Sequence, residues 1–175
     1  NINTSFQRSA RIDNKISKDF LDNFVFHDTS KKVLNQISGS LLNSNQSGFT
    51  LTGPYGTGKS SLALFLKALI AKDSAIKKQA EKIANFNNKH LFARVFLNKK
   101  KWFTLNVIGS KNDPIESIAE QIDLTIKGQW ISKGIPAPLK TRTKKTVAGV
   151  IKSLNNLIKE LNKKGHGLIL SLIHI

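Results

Sequence analysis

An α/β domain with a mostly parallel sheet flanked by helices is the fold class that three features of the sequence predict. Short apolar runs rich in β-branched and aromatic residues alternate with longer segments of helical period, in the order strand, helix, strand, helix, helix, strand. A glycine-rich loop, GPYGTGKSS at Gly53 to Ser61, lies between an apolar run and a helical one. A chain of 175 residues with 39% hydrophobic content suits one core and hardly two.

Residues 1–27 are polar and irregular around an apolar knot at Phe24-Val25-Phe26, and they read as a lead-in strap. Asp28-Thr29-Ser30 offers an N-cap for a helix whose Val33, Leu34, Ile37, Leu41 and Leu42 fall on one stripe, and the polar NSNQSG ends it. A short strand over Gly48 to Thr52 then runs into the glycine loop. The following SLALFLKALIA is apolar enough for a helix packed deep against a sheet, and Asp73 to about Asn88 reads as a more polar helix.

LFARVF, from Leu91, and WFTLNVIG, from Trp102, read as two strands around a basic break. Asp113 is placed as an N-cap with Pro114 at the first helical position, and Ile115, Ile118, Ala119 and Ile122 share one face. A loop with Gly134, Pro136 and Pro138 follows. The spacing of Val147, Val150, Ile151, Leu154, Leu157, Ile158 and Leu161 predicts a helix over about Lys144 to Lys163, closed by Gly165, after which GLIL opens another strand.

Composition narrows the function classes. No apolar run reaches the roughly 18 residues that span a bilayer, and the first thirty residues lack a signal peptide's pattern, so we expect a chain without a membrane partner. With no cysteine, disulfides and cysteine-ligated metal are excluded, and a cytoplasmic location fits; His27, His90, His166 and His174 show no ligand spacing. The formal charge of +17 invites nucleic acid. The cations are nearly all Lys, however, with only Arg8, Arg11, Arg94 and Arg142 to make bidentate contacts. The runs Lys99 to Trp102 and Lys140 to Lys145 could hold phosphates, but such runs are more often solvated faces.

The glycine loop carries the chemistry. Gly53, Gly58, Lys59 and Ser60 meet the pattern G-x-x-x-x-G-K-S/T, which arises by chance only about once in a couple of hundred chains of this length. Between a strand and a helix start, the pattern points backbone N–H groups and the positive helix end at an anion. Gly53, Gly56 and Gly58 allow conformations closed to residues with a Cβ, with Pro54, Tyr55 and Thr57 completing the loop. Lys59 is expected to reach β- and γ-phosphates, Ser60 to place its hydroxyl on Mg²⁺, and Ser61 to make a second phosphate-side contact.

GPYGTGKSSLALFLKALI resembles the Walker A segment of AAA-type P-loop ATPases, and more narrowly the large ATP-binding proteins of prokaryotic defence and mobile-element loci. The resemblance is specific over Gly53 to Ser61 and diffuse elsewhere. It implies ATP and Mg²⁺ as ligands, with Val25, Phe26 and the helix of Val33 near the base. It also implies a Walker B strand ending in Asp or Asp-Glu, and in ring-forming relatives an arginine finger from a neighbouring subunit. Arg94 and Arg142 are the mid-chain arginines.

None of the eleven acids ends an apolar strand, and the strand opening at Gly167 reads LILSLIHI instead. Leu170 to Ile175 match, letter for letter, one reading frame of a transposase end sequence used in sequencing libraries, so they read as a scar and not as part of the natural fold. The chain also contains no Met. The expectation is therefore a strap at 1–27, a partial P-loop NTPase domain at 28–169, incomplete at the C-terminus, and an adapter scar at 170–175. The leading function is ATP binding as part of a larger ATPase. The alternative is a basic nucleic-acid-binding module whose nucleotide site is regulatory or vestigial. GTP is disfavoured because Asn98-Lys99 is followed by Lys100 and Lys101 rather than by a base-reading N-K-x-D. A small-molecule kinase is disfavoured by the scarcity of Arg.

Overall fold

The computed structural model describes residues 16–44, 47–54, 56–85, 90–97, 99, 101–109, 113–130 and 134–174. These form a mixed α/β structure in which helix predominates and the sheet is a two-stranded parallel pair. The chain divides into two compact units, one up to residue 98 and one from residue 99.

The first unit is helical. Within the strap, Ser17 caps α1 (Lys18–Asp22) by accepting the Phe20 N–H at 3.1 Å. The next helix, α2 (Asp28–Asn43), corrects one expectation. Its cap position is His27, which makes no side-chain capping bond, and Asp28 lies inside the first turn with its carboxylate 3.0 Å from Lys31 Nζ. The chain is extended at His27 and turns helical after it, so Asp28 complements the helix dipole instead of capping. The stripe of α2 is also narrower than its sequence suggests. Leu34 and Ser38 are buried while Leu42 is exposed, and the Ser38 hydroxyl is satisfied by Leu34 O at 2.7 Å.

Helix α3 (Lys59–Leu69) buries Leu62, Leu64, Phe65, Ala68 and Leu69, and α4 (Ser74–Ala84) packs against it through a face that includes the buried Ala80 and Ala84. Asp73 caps α4 by accepting the N–H groups of Ala75 and Ile76, and Asn85 ends it in the left-handed region at φ 50°.

Two segments read as strands take other conformations. Residues 47–54 are irregular and exposed, with no sheet partner beside them among the described residues. From Leu91 the chain is helical and widens into a π-type turn over Ala93–Leu97, with Phe92 stacked on Phe96 at 4.6 Å. An apolar run this short has no period that separates strand from buried helix, and the ring stacking four residues apart is satisfied by the helical form.

The second unit is built on β1 (Lys101–Gly109) and β2 (His166–His174), paired in parallel from Lys101 opposite His166 to Gly109 opposite His174. Residues 170–174, set apart on sequence grounds, continue β2 in register. Helices α5 (Pro114–Trp130) and α6 (Val147–Asn162) supply most of the cover: Ile118, Ile122 and Ile126 from α5 and Val150, Leu157 and Leu161 from α6 join Phe103, Leu105 and Val107 of β1 in one core. Asp113 and Gly165 take the capping roles read from the sequence, while α6 begins at Val147, later than Lys144, with a cap the sequence reading did not name. Asp113 Oδ1 accepts the Ile115 N–H at 2.8 Å, Thr146 caps α6 through the Gly149 N–H, and Gly165 (φ 70°) ends the turn that closes it. The apolar stripe of α6 splits, however, with Val147, Ile151 and Ile158 exposed.

Candidate nucleotide-binding loop

The expected phosphate loop enters α3 directly. Gly58 stands at the N-cap in the left-handed region (φ 80°), and its carbonyl accepts the first intrahelical bond, from the Leu62 N–H at 2.8 Å. The N–H groups before Leu62 have no carbonyl four residues back within the helix and point out of its positive end. Gly56 is also left-handed (φ 84°), and open space surrounds the Cβ position of both glycines, so backbone conformation rather than crowding accounts for them. Gly53 adds crowding to a positive φ of 156°, because a Cβ there would stand 3.1 Å from Thr57 Oγ1.

Lys59 turns back over the loop. Its Nζ donates to Gly53 O and Pro54 O, each at 2.8 Å, and lies 3.4 Å from Thr57 Oγ1. The Thr57 hydroxyl in turn donates to Pro54 O at 2.8 Å. One side chain thus gathers the first two residues of the motif around the ammonium, which sits over a helix N-terminus. Ser60 and Ser61 open α3 half-buried, while Gly53, Pro54, Gly56, Thr57 and Gly58 are exposed. Tyr55 lies outside the described residues.

The apolar knot upstream touches α3 as well. Phe24 stacks on Phe65 with ring centroids 4.3 Å apart, and Phe26 lies 4.9 Å from the same ring. Phe26 is buried, whereas Val25 is 63% exposed, so the knot anchors the loop's helix and leaves Val25 outside the packing. Nothing in the spacing of the three residues revealed which ring would turn inward.

Three cations of the basic runs are paired inside the second unit. Arg142 Nε pairs with Asp123 at 3.5 Å and Lys145 Nζ pairs with Glu120 and Glu116 at 3.1 and 3.4 Å, all three acids standing on α5. The Thr143 N–H adds a bond to Asp123 Oδ1 at 3.0 Å. Hydrogen bonding to Glu120, reinforced by the charge of Glu116, raises the Lys145 pKa above the usual lysine value. Lys101 is held by Gln129 at 3.0 Å and lies over the Phe103 ring at 4.6 Å. Lys99, Lys140 and Lys144 remain exposed; Lys100 lies outside the described residues. The acids of α5 were visible in the sequence at helical spacing, but their pairing with a segment some twenty residues later was not.

Among the described residues no group of three or more His, Asp or Glu side chains gathers as a metal centre, and no helix is long and apolar enough to cross a membrane. No family model matches the chain, and no curated protein or solved structure matches it either.

Proposed function

We propose that the chain binds ATP with Mg²⁺ through Gly53, Pro54, Tyr55, Gly56, Thr57, Gly58, Lys59, Ser60 and Ser61, as a protein of the AAA-type P-loop class. The observation that carries this reading is the joint placement of left-handed glycines at 56 and 58, a helix N-terminus at Lys59, and a lysine ammonium folded over the loop within 2.8 Å of two of its carbonyls. Backbone N–H groups and a positive helix end suit a polyphosphate, and a lysine held above them adds a full charge beside the same anion.

The donor set fits the ligands. A hydroxyl at the second residue of α3 suits Mg²⁺, a hard cation that accepts few protein ligands and takes the rest from phosphate oxygens and water. Bound there, Mg²⁺ would neutralise charge on the phosphates. Ser60 would hold the metal side of the ligand, Lys59 the terminal phosphates, and the loop N–H groups the phosphate nearest the helix. Adenine recognition by the helix of Val33 and the exposed Val25 is part of the same proposal.

The nucleic-acid alternative has less support, because Arg142 and Lys145 of one of its two basic runs are paired with acids of α5. Isothermal titration of the chain with Mg-ATP tests the reading. Binding that Lys59→Ala abolishes, and that added DNA leaves unchanged, is the expected result; binding indifferent to Lys59→Ala overturns it, and salt-sensitive DNA binding that survives Lys59→Ala favours the alternative.

A further inference from the structure

We infer that Thr57 is a positioning residue of the loop, whose hydroxyl fixes the Pro54 carbonyl under the Lys59 ammonium and so sets which ammonium proton is offered to an anion. This rests on the reading of Gly53 to Ser61 as the nucleotide site. The Thr57 hydroxyl has a single proton, which goes to Pro54 O at 2.8 Å. Its lone pairs face Lys59 Nζ at 3.4 Å. Pro54 O therefore accepts from two side chains at once, each at 2.8 Å.

An ammonium has three protons. Lys59 spends two on Gly53 O and Pro54 O at 2.8 Å, within the usual range for such bonds. Among the described residues the third has only Thr57 Oγ1, at 3.4 Å, beyond the 2.7–3.2 Å where N–H···O bonds are strong. A phosphate oxygen is the stronger acceptor and takes this proton without disturbing the other two. Thr57 thus holds the loop closed on Lys59 while competing weakly for the proton that an anion needs. Crowding narrows the choice at Gly53 too, since a Cβ there would press on the same hydroxyl at 3.1 Å.

The test compares Thr57→Val, which keeps the branched shape and removes the hydroxyl, with Thr57→Ser, which restores it. In Mg-ATP titrations we expect Thr57→Val to weaken binding by roughly 5- to 10-fold and Thr57→Ser to recover to within about twofold of the parent, the scale of one exposed charge-linked hydrogen bond. The ¹H–¹⁵N signal of the Lys59 ammonium in the nucleotide-free chain supplies a second readout. Its protection from solvent exchange should persist in the Ser variant and fall in the Val variant, at unchanged melting temperature. Equal binding by the parent and Thr57→Val, alongside loss of binding in Lys59→Ala, overturns the role of Thr57 and leaves the site standing. An ammonium signal unchanged in Thr57→Val also overturns it, whatever the ligand. Binding indifferent to Lys59→Ala removes the site and this role together.

Discussion

Phe24 and Phe65 lie face to face, 4.3 Å between ring centroids and 15° from parallel, which ties the segment before α2 to the helix that follows the glycine loop. Phe65 is fully buried and also meets Phe26 at 4.9 Å. The position of α3, and with it the loop's entry into the helix, depends on this aromatic cluster.

Phe65→Ala is accordingly expected to destabilise the first unit by about 3–5 kcal/mol, the usual cost of deleting a fully buried ring. Val25→Ala, at an exposed position in the same cluster's connecting chain, should stay within about 0.5 kcal/mol. Denaturant unfolding followed by circular dichroism measures both, and a similar loss in the two variants would contradict the burial assigned to Phe65.

A sign difference is expected between two glycines of the second unit. Gly167 is buried in β2 opposite Trp102, and a Cβ there would collide with the indole ring; Gly167→Ala should cost about 1–3 kcal/mol as the ring is displaced. Gly128 stands exposed in α5 with open space around its Cβ position, so Gly128→Ala should stabilise by up to about 1 kcal/mol through helix propensity. Thermal melts of the two variants against the parent decide the matter.

Lys145 predicts a pH dependence at the alkaline end. Glu120, then Glu116, raise its pKa in the folded chain above the ordinary 10.5, so the folded state holds the proton more tightly than the unfolded one. The stabilisation is complete below pH 10.5 and is lost as pH rises through the higher folded value. The stability difference between the parent and Lys145→Met should therefore be constant through neutral pH and shrink above that point. A difference that grows with alkalinity in urea titrations at several pH values would contradict the pairing.

ATP turnover by the chain is expected to be negligible. Phosphoryl transfer relies on a held metal and an oriented water, and β2, where the resemblance places the Walker B acids, runs from His166 to His174 without Asp or Glu. Phosphate release near background is the expected outcome. Turnover of about one per second that Lys59→Ala abolishes would show that a catalytic acid is present in these residues.

Several parts of the molecule could be read directly from residue order, because their causes are local. The cap at Asp113, the left-handed Gly165, the helical period of α5 and the β-branched and aromatic run of β1 each depend on neighbours within a few positions. The glycine loop belongs with them, since its pattern and its following helix specify backbone conformation at Gly56 and Gly58. Other features needed the packed chain. A strand exists only within a sheet, and residues 48–52 stay irregular, with no strand beside them among the described residues, while the apolar run from Leu91 closes on itself as a helical turn. A periodic stripe states that a helix has an apolar face but not how much of that face meets a neighbour, and on α6 Val150, Leu157 and Leu161 are covered while Val147, Ile151 and Ile158 are not. Charge behaves the same way. The composition counts Arg142 and Lys145 among the cations of a basic chain, and only their approach to Asp123, Glu116 and Glu120 across a loop shows that they have acidic partners within the fold, because pairing depends on distance in space and not on separation along the chain.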